Sequence, residues 1–144
     1  MLIHIGCRNR KYEGFINTDK DEMDITKPWP YESNSVDGII SMQVFQCLTW
    51  KELMFTFSES LRVLKKGGVM RMGVSLMETN YRLDEVLYGN NINLFSFDLL
   101  KNVLIDRIGY SSIKLCKYRE TLIPEFAQVD SRSNRGSSYI EVVK

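Results

Sequence analysis

The chain opens on a short apolar run, Leu2 to Ile5, halted at Gly6. A run of this length bounded by a turn residue predicts a strand buried on both faces. Phe15 to Asp19 predicts a second strand, ending in an acid, and Val36 to Ser41 a third, entered from the turn-forming Glu32-Ser33-Asn34-Ser35. Two prolines in Lys27-Pro28-Trp29-Pro30 forbid helix and central strand alike, so that stretch reads as an irregular connection. From Thr49 to Lys66 the period changes. Leu53, Phe57, Leu61 and Leu64 mark one helical face, Thr49 and Glu52 form a capping box, and Lys65-Lys66 followed by Gly67-Gly68 supplies the expected stop. Val69 to Val74 predicts a fourth strand. Leu76 to Asn93 is expected to hold a short helix and loop around Leu83 to Tyr88. Ser96 or Asp98 then caps a helix reaching Ile108 and ended by Gly109. Ser112 to Tyr118 and Tyr139 to Val143 predict two last strands, and with no helical run between them they are expected to pair antiparallel.

Strands that alternate with helices and close on a strand pair predict an α/β fold with an open, mostly parallel sheet. The ligand of such a sheet sits beyond the carboxyl ends of the strands, where the strand order reverses. Attention therefore falls on Gly6, Asp19, Ser41 and the residues just after Val74. At 144 residues the chain reads as one domain, 1–144, large enough to bury its own core without cross-links. Lys and Arg number 19 against 18 Asp and Glu, a balance that argues against bulk electrostatic binding of nucleic acid or an anionic membrane. Cys7, Cys47 and Cys116 are far apart and fall in no metal-ligand spacing, so no metal site is expected. With no signal peptide and no membrane-length apolar stretch, the expected setting is reducing and cytoplasmic.

Three constellations carry candidate chemistry. In Ile5-Gly6-Cys7-Arg8-Asn9-Arg10, a glycine at a strand end lets the chain turn and a ligand approach the backbone, with free N–H groups to hold an anionic group. Asp19 stands where an acid accepts hydrogen bonds from ribose hydroxyls in nucleotide-binding sheets. Only nine residues, Gly6 to Gly14, join the first two strands, which leaves room for a single helical turn at most. The third constellation is Asp24-Ile25-Thr26-Lys27-Pro28-Trp29-Pro30-Tyr31 with Asn34 to Ser41.

That third run resembles class I S-adenosylmethionine (SAM) dependent methyltransferases, in particular a small branch of methyltransferase type 11. The resemblance continues in Leu61-Arg62-Val63-Leu64-Lys65-Lys66-Gly67-Gly68, in Leu99 to Tyr110 and in the closing Tyr139 to Lys144. It implies a minimal Rossmann-like fold without N-terminal helices, with SAM as cofactor and S-adenosylhomocysteine as product. It implies Gly6 and Cys7 along the methionine end of SAM, Asp19 on the ribose, Asp24 and Ile25 at the adenine, and Ser41 and Met42 on the sulfonium side. The methyl acceptor it implies is a small molecule or saccharide.

The chain also departs from that family. Arg8 stands in place of a second glycine, where its side chain either obstructs the cofactor, swings aside, or pairs with the SAM carboxylate. Met42-Gln43-Val44-Phe45-Gln46-Cys47-Leu48 is neutral where relatives carry ionisable residues. The single histidine, His4, lies within the first strand and reads as a packed residue, and Glu78, past the fourth strand, is the best placed acid. No catalytic base can be named. With no N-terminal cap expected, a large substrate, a second copy of the chain or a partner subunit would cover the site. The rival to the enzyme is a catalytically degenerate methyltransferase fold that serves as a binding or regulatory module. A third reading is an anion or nucleotide binder built on Arg8, Arg10 and Lys11.

Overall fold

The computed structural model describes residues 1–78, 92–93, 95–130 and 137–144. The helix and loop expected around Leu83 to Tyr88, and most of the loop Ser131 to Ser138, lie outside them. Six strands form one sheet: β1 (Leu2–Ile5), β2 (Phe15–Thr18), β3 (Val36–Met42), β4 (Leu64–Ser75), β5 (Ser112–Cys116) and β6 (Ser137–Val143), in the order β2-β1-β3-β4-β6-β5. β1 pairs parallel with both β2 and β3, and β3 pairs parallel with β4. β6 pairs antiparallel with β5, as the missing helical run predicted, and also antiparallel with β4. The strand order therefore reverses at β1, and the tips of β1, β2 and β3 frame the crevice that the sheet offers to a ligand.

Helix α1 (Trp50–Val63) begins on the expected capping box: Glu52 N–H donates to Thr49 Oγ1, and the Glu52 carboxylate accepts from Thr49 N–H. It ends earlier than its sequence pattern. Leu64 is already extended and pairs with Val36, while Asn34 N–H and Ser35 N–H take the carbonyls of Arg62 and Val63. Sheet pairing and these external donors outweigh the helical propensity of Leu64-Lys65-Lys66, and Gly67, at φ +77°, turns within the strand. Helix α2 (Phe97–Lys101) is capped by the Ser96 hydroxyl and widens into a π-helix, Asn102–Ile108, that stops at left-handed Gly109. No helix forms between β1 and β2. A single turn closed by Arg10 N–H on the Cys7 carbonyl does the work of the expected vestigial helix.

The two faces of the sheet are covered differently. On one, Ile3, Ile5, Ile39, Met70, Met72 and Ile140 pack against Leu53 and Phe57 of α1 and Leu100 and Leu104 of the second helix. On the other, Ile40 and Val69 meet Phe126 and Val129 from a 3₁₀ turn, Pro124–Gln128. Gly38 lets this strap close: a Cβ there would stand 2.5 Å from Ile123 and 2.7 Å from Phe126. The strap is tied down by Arg71, fully buried in β4. Its guanidinium forks onto Asp130 at 2.8 and 2.7 Å, reaches Glu141 at 3.0 Å, and donates to the carbonyls of Glu120 and Lys117.

Candidate functional site

A cavity of about 420 Å³ opens at the carboxyl tips of β1 and β2. Gly6 and Ile5 form its floor, Asp19, Asp24 and Ile25 one wall, and Val44, Cys47, Leu48 and Glu52 the other. Of the eight residues the sequence singled out, Gly6, Asp19, Asp24 and Ile25 are thus brought together. Cys7, Arg8, Ser41 and Met42 do not line the cavity.

Asp19 is oriented by the backbone around it. One carboxylate oxygen accepts Arg8 N–H at 2.9 Å and the other Lys20 N–H at 2.8 Å. A carboxylate has about four acceptor positions, so two remain for a ligand. Asp24 accepts the Thr26 hydroxyl at 2.7 Å and the Thr26 N–H at 3.1 Å, and lies 3.3 Å from Lys27 Nζ. These bonds, the Thr26 hydroxyl foremost, hold its pKa down to about 2, so the wall carries a fixed negative charge. Ile25 is 8% exposed, and its carbonyl is pinned by Trp29 Nε1 at 3.0 Å and Thr56 Oγ1 at 3.1 Å. Behind it, Arg62 forks onto Glu59 and donates to the carbonyls of Trp29 and Tyr31, which fastens the proline-bearing connection to α1. Trp29 is therefore a buried buttress of this wall rather than part of the cavity surface, and Phe45 is buried in the core.

The glycine-bearing tip works differently from its sequence reading. Gly6 N–H and Cys7 N–H both donate to the Thr18 carbonyl, at 2.9 and 3.1 Å, and Arg8 N–H goes to Asp19. The amides expected to be free for an anionic group are spent joining the tips of β1 and β2. Gly6, at φ +72°, has Val44 Cγ2 only 2.4 Å from where a Cβ would stand, so the absent side chain admits Val44. Arg8 adopts φ +47° and is exposed; its side chain does not line the cavity, but its charge acts on Cys47 of the cavity wall. Cys7 is buried, which pushes its thiol pKa up. The Met42 side chain lies over Gly73 and joins the cluster on the strap side of the sheet. Ser41 is 1% exposed beside Ile5, and its hydroxyl has no hydrogen-bond partner.

His4 is buried between Tyr12 and Phe15, bonded through Nδ1 to Asn17 at 3.2 Å, and burial lowers its pKa. Glu78 accepts Phe97 N–H at the start of α2. Among the described residues no cluster of His, Cys, Asp or Glu could hold a metal. Likewise no helix there is long and apolar enough to cross a membrane. The sequence drew attention to Met42–Leu48 for its neutrality but did not place Val44, Cys47 and Leu48 on the cavity, nor Lys20, Met23, Thr26 and Glu52. Glu52 carried a signal, its place in the capping box, but nothing local showed that the cap borders a cavity.

Residues 7–72 match the family model described as "Methyltransferase domain". No curated protein matches the chain. Among solved structures, a SAM-dependent methyltransferase from Archaeoglobus fulgidus superposes with a TM-score of 0.71 at 15% identity, over 99% of this chain and 85% of that one. The Haloferax volcanii complex of the Trm112 methyltransferase activator with a methyltransferase gives 0.66 at 14%, over 99% and 81%. Haemonchus contortus phosphoethanolamine N-methyltransferase 2, in complex with SAM, gives 0.64 at 14%, over 99% of this chain and 48% of that one. At these identities the likeness establishes the fold, which is that of class I SAM-dependent methyltransferases.

Proposed function

We propose, from the premise that this chain has the class I SAM-dependent methyltransferase fold and matches the methyltransferase domain over residues 7–72, that it binds SAM at the tips of β1 and β2 and transfers its methyl group to a small-molecule acceptor. One observation carries the reading: Asp19, Asp24 and Ile25 converge on one cavity beside Gly6, at the point where the strand order reverses. The volume, about 420 Å³, falls in the range of small-molecule sites.

The adenosyl half of the cofactor fits the residues present. Asp19 keeps acceptor positions for two ribose hydroxyls. Asp24, held ionised, accepts the exocyclic amino group, and Ile25, fixed by Trp29 and Thr56, covers a ring face. The unpaired Ser41 hydroxyl stands beside the floor of the same cavity. When bound, SAM supplies an electrophilic methyl group. The chain contributes orientation and exclusion of water, which account for much of the rate in such in-line transfers. Since Ser41 is the only one of Cys7, Arg8, Ser41 and Met42 with an unspent buried polar atom, it is the strongest of the four as a contact on the sulfonium side. The neighbour solved with its activator lends support to a partner subunit over the open site, with a homo-oligomer the alternative. A cytoplasmic setting fits a fold in which Cys7 and Cys116 are kept as buried thiols.

A second reading, a binding module without turnover, is favoured by the Gly6, Cys7 and Arg8 amides being spent and by Val44 standing over Gly6. Calorimetry separates the possibilities. SAM and S-adenosylhomocysteine should bind the wild-type chain, and Asp19→Asn should weaken both at least tenfold. Binding with no slow consumption of SAM in the presence of acceptor mixtures would favour the module. An absence of heat at millimolar ligand would remove both readings.

A further inference from the structure

We infer, resting on the SAM reading above, that the cavity selects its ligand by charge and that Glu52 sets the selectivity. It takes an adenosine with a positively charged tail, holds the neutral demethylated product less tightly, and refuses nucleotide phosphates. Three carboxylates, those of Asp19, Asp24 and Glu52, line the cavity, and Lys20 is the one cation that lines it with them. Arg8 acts on the wall only from outside the lining, as a charge on Cys47. Lys27 stands 3.3 Å from Asp24 with its side chain 74% exposed, and it too lies outside the lining. Ile25, Val44 and Leu48 give the same hollow apolar walls. A cleft lined by one sign of charge between low-dielectric walls focuses its field on whatever enters.

Of the three acids, Glu52 has the least of its charge answered by the protein. Asp19 is bonded through both oxygens, and Asp24 has Lys27 beside it. Glu52 spends only Oε2, on the Thr49 N–H at 2.8 Å and the Thr49 hydroxyl at 2.7 Å. Among the described residues it forms no salt bridge, and its Oε1 accepts no hydrogen bond. The capping box thus fixes the carboxylate at the first turn of α1, on the cavity wall, with one oxygen to spare. The Thr49 hydroxyl, followed by its amide, holds the Glu52 carboxyl below the usual carboxylate range, so it is ionised at neutral pH. Asp24 and Lys20, its companions on the lining, both act on it by charge.

The ligands differ in the property this lining reads. SAM carries a sulfonium beside an ammonium and a carboxylate that cancel, so it is a monocation at neutral pH. S-adenosylhomocysteine lacks one methyl group and that one charge, and its adenosyl contacts are the same. A phosphate would bring negative charge against three carboxylates. The groups that would welcome a phosphate are also spent: the Gly6 and Cys7 amides on the Thr18 carbonyl, the Arg8 amide on Asp19. Asp19 and Asp24 both touch the adenosyl group and charge the hollow. Glu52 contributes charge alone.

Calorimetry with SAM, S-adenosylhomocysteine and adenosine monophosphate at low salt reads the selectivity. SAM should bind about three- to tenfold tighter than S-adenosylhomocysteine, as a solvent-screened charge allows, and the monophosphate about tenfold weaker than either or worse. In about 1 M salt the preference for SAM should shrink to within about twofold. Glu52→Gln keeps the capping box, since glutamine also serves at that position. It should weaken SAM alone and bring the two affinities within about twofold. A damaged cap would instead weaken both ligands alike, so the ratio separates charge from structure. Lys20→Gln, which removes the cation from the lining, should widen the preference. Equal affinities in the wild type, a monophosphate bound as tightly as SAM, or Glu52→Gln weakening both ligands alike would overturn the charge selectivity and leave the cofactor reading standing. Failure of all three ligands to bind would remove the cofactor reading, and the selectivity with it.

Discussion

Gly6→Ala tests how the floor of the cavity is built, and its cost divides into two parts that other positions measure separately. Gly6 sits at φ +72°, where a Cβ costs about 1–2 kcal/mol, offset by about 0.4–1 kcal/mol from the stiffer unfolded chain. Gly14, at φ +83° with nothing within 4 Å of its Cβ position, carries that backbone part alone. Gly14→Ala should therefore cost about 0.5–1 kcal/mol. Gly6→Ala adds a collision, since Val44 Cγ2 stands 2.4 Å from the new carbon. Overpacking of this kind adds about 1–3 kcal/mol. Val44→Ala in the Gly6→Ala background removes the colliding methyl, so the two substitutions should couple favourably by about 1–3 kcal/mol. Urea unfolding with an unchanged m-value is the assay. If Gly6→Ala costs no more than Gly14→Ala, or the cycle is additive within about 0.5 kcal/mol, then Val44 does not rest on Gly6 and the floor is described wrongly.

Arg71→Met should destabilise the chain by about 3–5 kcal/mol, because it strands the buried Asp130 and Glu141 carboxylates, and adding Asp130→Asn and Glu141→Gln, which remove the charge but keep acceptors for Arg119 N–H and Leu122 N–H, should restore part of the loss; chemical unfolding of the single and triple variants decides it. Burial lowers the pKa of His4, so between its unfolded and folded values the unfolded chain binds a proton that the folded chain refuses. Stability should then fall as the pH drops below about 6.5, a slope that His4→Gln abolishes and that the lone imidazole reports directly by NMR titration. Arg8→Gly should stabilise by about 0.5 kcal/mol, the left-handed strain at φ +47° less the added chain freedom. Its S-adenosylhomocysteine affinity should stay within about threefold by calorimetry, since the guanidinium is exposed, does not line the cavity, and acts on the Cys47 wall only as a solvent-screened charge.

What the sequence makes legible is local. β1 to β3, the Thr49–Glu52 box, the Ser96 cap and the Gly109 stop each rest on residues within a few positions of one another. The early end of α1 was hidden because Leu64 is claimed by Val36, across the sheet. The Arg71 cluster was hidden for the same reason: its partners lie 59 and 70 positions along the chain, and an arginine inside an apolar strand carries no sign of them. The site divides along the same line. Asp19, Asp24 and Ile25 were readable from strand ends and family resemblance. Val44 above Gly6, and the wall from Cys47 to Glu52, exist only because α1 packs against the sheet. The strand-end glycine was read as an opening for a ligand, yet in the fold it first admits a neighbouring valine.

The most direct test is a crystal structure of the chain with S-adenosylhomocysteine. Ribose hydroxyls should lie within hydrogen-bond distance of Asp19, the adenine amino group on Asp24, and the ring against Ile25. Density for the nucleoside elsewhere on the sheet, or a cavity still empty at saturating ligand, would contradict that placement.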